Sequence, residues 1–154
     1  MNITLDYTAL YDLVERSLSV IGKRATDEDG NRIFNDITLG TKEQDIVKDF
    51  LRLAVVNITT ETALFVTGGN NDSVVLTIDS RWNEHLDFFL NQACQNYCIA
   101  YTLYSWFIVT SPRLSEKYEK DMNSQLTAIV RMSTEKKAPE STATSPLDIT
   151  SEVN

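Results

Sequence analysis

The 154-residue chain predicts a mainly α fold: a four-helix bundle-like domain with a small extended or β element and a C-terminal arm. Three observations lead there. Apolar residues recur at three-to-four spacing over four stretches, a short β-branched run separates the second stretch from the third, and the composition changes after Ser133. With 42% hydrophobic and 23% charged residues, the chain has the make-up of one globular domain with its own core, and it is too short for two. The helical domain is therefore placed at 1–133 and the arm, expected to be ordered by a partner, at 134–154.

The first helix is expected from about Asp6 to Lys23, with Leu10, Leu13, Val14, Leu18 and Ile21 on its apolar face. Asp6 or Thr8 is the candidate cap, and Gly22 helps to end it. A polar run, Thr26 to Asn31, follows. Its Asp29-Gly30 pair opens a short hairpin or an extended arm through Arg32, Ile33 and Phe34 to Ile37 and Leu39.

Thr41 with Gln44 three residues on reads as a capping box for the second helix. Its expected apolar face is Ile46, Phe50, Leu53, Ala54, Ile58, Leu64 and Phe65. Threonines at 59, 60 and 62 weaken helix propensity and predict a bend or an end near Asn57. Gly68 to Asp72 reads as a loop, and Val74 to Ile78 is the strand candidate.

The third helix is expected from Asp79 or Ser80 to Val109, with Leu86, Phe89, Leu90, Ala93, Tyr97, Ala100, Tyr101, Tyr104 and Phe107 forming its stripe. From Tyr97 onwards apolar residues cover more than one face, which predicts burial on several sides. Pro112 suits the first turn of a fourth helix carrying Leu114, Tyr118, Met122, Leu126, Ile129 and Val130. Beyond Thr134 the chain lacks core-forming residues.

A net charge of −8 argues against gripping nucleic acid through its phosphates, which takes clustered Lys and Arg. No basic start followed by an apolar run suggests a signal peptide, and the stretch Tyr97 to Val109 is too short to span a bilayer. The three N-x-S/T triplets, at Asn2, Asn57 and Asn71, are therefore taken as coincidental in a chain not expected to be secreted. Cys94 and Cys98, four apart on a helix, cannot easily bridge and are expected as buried thiols.

Candidate chemistry is sparse. His85 is the single histidine, and no nucleophile motif accompanies it. His85 with the two cysteines lacks the ligand number and loop spacing of a zinc site. Asp27 to Asn31 has the start of a calcium loop without the closing glutamate, and Gly68-Gly69 belongs to no phosphate-binding pattern. The expectation is a protein without catalytic, metal or cofactor residues.

What remains is surface for partners. Eight aromatic residues fall between Trp82 and Phe107. At about 100° per residue, Trp106 is turned well away from Tyr101 and Tyr104. Trp106 and Trp82 are therefore expected at an edge or interface, where aromatic side chains bury much area. Pro139 and Pro146 favour an extended tail, and Leu147, Ile149 and Val153 alternate as in a segment that adds to a sheet or lies in a groove. The arm from Arg32 to Leu39 offers the same possibility.

The sequence of Arg81-Trp82-Asn83-Glu84, then Tyr97 through Trp106-Phe107, then Ser111-Pro112-Arg113-Leu114-Ser115-Glu116-Lys117-Tyr118, then Leu126 to Arg131, resembles the head–tail connector (adaptor or neck) proteins of tailed bacteriophages. The resemblance covers residues 5–135 and lies in architecture, with no diagnostic motif. It implies a structural virion protein, assembled in the host cytoplasm without a membrane, and a ring of about twelve copies joined by heterologous contacts. Its partners would be copies of itself and the portal and tail proteins. DNA would be passing cargo in a channel whose negative wall does not hold it. The alternative is a small cytosolic helical adaptor or regulatory domain that binds proteins and has no virion role. An enzyme would need a pocket with converging polar groups around His85 or the acidic pairs Asp27/Asp29, Asp45/Asp49 and Glu116/Glu119.

Overall fold

A computed structural model describes residues 1–24, 39–79 and 81–136. The arm residues Arg32, Ile33, Phe34 and Ile37 and the tail residues Pro139, Pro146, Leu147 and Ile149 lie outside these. The described chain is mainly helical, with one small sheet, as the periodicity predicts.

It opens on a strand that the sequence reading passed over. β1, Asn2–Asp6, buries Ile3 and Leu5 and exposes Asn2, Thr4 and Asp6, the alternation of a sheet with one covered face. Asp6 then caps α1, Tyr7–Arg24: its carboxylate accepts from the backbone N–H of Thr8 at 2.8 Å and of Ala9 at 3.1 Å. Leu10, Val14 and Leu18 of α1 are buried, whereas Leu13 and Val20 are exposed. Gly22 lies within the helix rather than ending it.

α2, Thr41–Glu61, differs from expectation in three ways. Gly40, not Thr41, is the N-cap, and having no side chain it makes no cap bond, so no capping box forms. The helix runs through Asn57 unbroken. The threonines are accommodated because the Thr59 and Thr60 hydroxyls donate back to the Val56 carbonyl, and that of Thr62, just past the helix end, donates to the Ile58 carbonyl. The buried face is Val47, Leu51, Ala54, Val55 and Ile58, while Ile46 and Leu53 are exposed. Ala54 and Ile58 are buried as expected, but toward the start of the helix the buried stripe runs through Val47 and Leu51, one residue or about 100° on from Ile46 and Phe50.

β2, Phe65–Gly69, and β3, Ser73–Thr77, form a hairpin where the reading placed a loop before a strand. β3 is central in the order β1-β3-β2, with both pairings antiparallel and within the chain. Asn2 opposes Thr77 and Leu5 opposes Val74. On the other side Phe65 opposes Thr77, and a bulge at Thr67 shifts the register before Gly68. The Asn70 side chain holds the turn by accepting from the N–H groups of Asp72 at 2.8 Å and Ser73 at 2.9 Å. Gly69 has φ 141°, and a Cβ there would lie 2.5 Å from the Ser73 carbonyl oxygen. Only glycine fits.

A single 3₁₀ turn, Glu84–Leu86, precedes α3, Asp87–Thr110, so the third helix begins later than its caps suggest. α4, Pro112–Ser133, starts with Pro112 in its first turn as expected. α3 is the central element. α1, α2 and α4 all pack on it, α4 most extensively. Its buried residues, among them Leu90, Cys94, Tyr97, Cys98, Leu103 and Phe107, cover several faces. Phe107 stacks on Tyr118 of α4 with ring centres 5.8 Å apart. Phe89, expected inside, is 60% exposed.

Candidate interaction surfaces

Only Trp82 and Trp106 of the residues nominated for partner contact lie among the described residues. Trp82 is not at an open edge: it is 3% exposed and belongs to the core. Its indole N–H donates to the Met132 carbonyl at 2.6 Å, and its backbone forms an isolated antiparallel bridge with Lys136. The Asn83 N–H donates to the Glu135 carbonyl at 3.1 Å. These bonds clasp the segment leading into α3 to the end of α4. The reason is geometric: Trp82 precedes α3, and the bonds to Met132 and Lys136 turn its ring into the core instead of leaving it at an interface edge. Trp106 is half-buried and packs against the core.

Cys94 and Cys98 are buried free thiols on α3. Burial pushes the Cys94 thiol up to about 12, and burial followed by the neighbouring Cys94 raises Cys98 as well. A thiol held protonated in this way is a poor nucleophile and a poor metal ligand. His85 is exposed on the 3₁₀ turn. Among the described residues no group of three or more His, Cys, Asp or Glu is arranged to hold a metal ion, and no helix is long and apolar enough to cross a membrane.

Three apolar surfaces stand out. The first is β2. It is the edge of the sheet opposite β1, all five of its residues are exposed, and Phe65 and Val66 are 50% and 54% exposed. Its sequence, Phe-Val-Thr-Gly-Gly, contains no charge and no proline. Edges of that kind invite another chain, and among the described residues its protection is a length of five residues and the bulge at Thr67.

The second is the start of α3, where Phe88 is 72% exposed and meets Phe89 edge to face at 5.7 Å. Two adjacent large aromatics in the first turn of a helix cannot both turn toward one core face. Helical spacing alone places Phe89 inward, and the adjacency of Phe88 is what turns the pair outward.

The third is a groove between α1 and α4 with α3 as its floor. It has a volume of about 770 Å³ and is lined by Leu13 and Val20 of α1, Ile99, Ala100 and Leu103 of α3, and Leu114 of α4. Arg16, Lys117 and Asp121 stand among its lining residues. α1 and α4 flank α3 without substantial contact with each other, so the bundle is open along this line. Helical periodicity gives each helix's apolar face but not which pair fails to close.

The chain matches no protein-family model, and no curated protein or solved structure matches it either.

Proposed function

We propose that this chain works by association rather than catalysis, as a subunit of a protein assembly. The observation that carries this is the uncharged edge strand β2, exposed along its length with Phe65 and Val66 about half exposed, supported by the exposed Phe88–Phe89 pair. Exposed apolar surface of this sort is costly in an isolated domain and is retained where a partner covers it. A sheet edge adds a strand from another chain through main-chain hydrogen bonds, with Phe65 and Val66 giving it apolar contacts.

The particular assembly we infer is a head–tail connector ring of a tailed bacteriophage, a virion structure joining portal to tail around the DNA exit channel. The support is the resemblance in helix order described above, together with the charge of −8. A closed ring takes heterologous contacts, in which one patch of a subunit meets a different patch of the next. The β2 edge and the start of α3 are two such patches on separate elements. An acidic subunit suits a channel that lets DNA pass without holding it.

Light scattering on the full chain over a range of concentrations tests this, alongside the double substitution Phe65→Ser with Val66→Ser. Discrete higher-mass species that dissociate in the double variant are expected. A monomer at every concentration, in both proteins, would refute self-assembly and favour a cytosolic adaptor domain.

A further inference from the structure

The groove between α1 and α4 has a continuation that suggests its occupant. At Asn96 and Gln125 it meets a second hollow of about 400 Å³, lined at its far end by Met132 and Glu135. The described chain ends at Lys136, next to Glu135, so residues 137–154 depart from the end of this continuous channel.

We propose that the groove is covered by the segment 146–149 of the same molecule, with Leu147 and Ile149 seated on its apolar floor. Alternation supports the fit. In an extended segment Leu147 and Ile149 face one way and Asp148 the other, so seating the apolar pair on the floor turns the carboxylate outward to solvent. After Lys137 the segment carries Glu140, Asp148 and Glu152 and no basic residue. The lining of the two hollows supplies Arg16, Lys117 and Arg131 against Asp121 and Glu135, a basic excess that complements it.

The reach is sufficient. From Met132 back to Leu114 along α4 is about 27 Å at 1.5 Å per residue. Leu147 stands eleven residues beyond Lys136, which spans at most about 36–40 Å extended. A random-coil tether of eleven residues has a typical end-to-end distance of about 17–20 Å, close to the middle of the channel. A tether matched to its span presents its end at an effective concentration in the millimolar range, which favours the chain's own segment over a neighbour's. The groove is then a surface that an incoming partner reaches only by displacing this segment. The inference goes beyond the assembly proposed above and does not depend on it.

Disulfide trapping in the full chain tests it. Ser17, which lines the groove, is replaced in S17C and paired with T150C, while Leu147 and Ile149 stay in place. The native Cys94 and Cys98 are buried and do not compete. A disulfide within one molecule is expected under mild oxidation, and adding L147D and I149D is expected to slow its formation by about tenfold or more, since the apolar anchors are gone. The pair K117C with T150C repeats the test from α4, should S17C disturb α1. Equal rates with and without the anchors would overturn the proposal, and so would disulfide-linked pairs of chains persisting on dilution. Light scattering on L147D/I149D separates the two claims: unchanged assembly with lost trapping assigns the segment to the groove and not to the subunit contacts.

Discussion

Replacing Trp82 distinguishes a fold residue from an interface residue. The side chain is 3% exposed and its N–H bond to the Met132 carbonyl is 2.6 Å long. Truncating a buried Trp to Ala costs about 3–5 kcal/mol, in which the hydrogen bond accounts for about 1 kcal/mol. Trp82→Phe keeps a ring and loses the donor. The Met132 carbonyl still accepts from the Glu135 N–H at 3.2 Å, so it is not orphaned, and a loss of about 1–2 kcal/mol is expected. A domain of this size is stable by only about 5–15 kcal/mol, so Trp82→Ala removes a large share. Urea unfolding followed by far-ultraviolet circular dichroism, at one protein concentration, measures both variants against the parent. The order parent, Phe, Ala with those gaps is the expected result. Trp82→Ala within about 0.5 kcal/mol of the parent, with association lost instead, would refute the clasp and make Trp82 a partner anchor.

The rotation of α2 is tested by a pair: Leu51→Ala is expected to cost about 2–5 kcal/mol and Leu53→Ala under about 1 kcal/mol, by the same unfolding assay. Reversal of that order would restore the face predicted from Ile46 and Phe50. Asp6→Ala removes the acceptor of two backbone N–H groups and is expected to lower stability by about 1 kcal/mol, seen as a shift in the urea midpoint. Cys94 and Cys98 are expected to react with a thiol reagent at pH 8 only as fast as the chain opens, and at once in denaturant. Because their folded pKa values are raised, the stability they confer is full below the unfolded thiol pKa. It falls as pH rises toward about 12, where Cys94 ionises, and unfolding titrations across alkaline pH show this as a declining midpoint.

Four helices were legible because each carries a periodic apolar stripe long enough to outweigh its weak residues. The N-terminal strand was legible too, in the alternation of Ile3 and Leu5 between polar neighbours, but five residues sit at the limit of that signal. β2 was hidden by Gly68 and Gly69, which mark loops from sequence and here serve a bulged strand and a tight turn. The phase at the start of α2 was not legible, because Ile46–Phe50 and Val47–Leu51 both lead at helical spacing into the buried Ala54 and Ile58. Only the position of α3 decides between them. The interaction surfaces were harder still: Trp82 is held by a carbonyl fifty positions away, a relation no local pattern contains.

Electron microscopy of the full chain, stained at the concentration where light scattering gives its largest discrete mass, tests the assembly most directly. Closed rings of one size, with about twelve subunits, are the predicted result. Single particles with the dimensions of one helical domain, at every concentration tried, would contradict it.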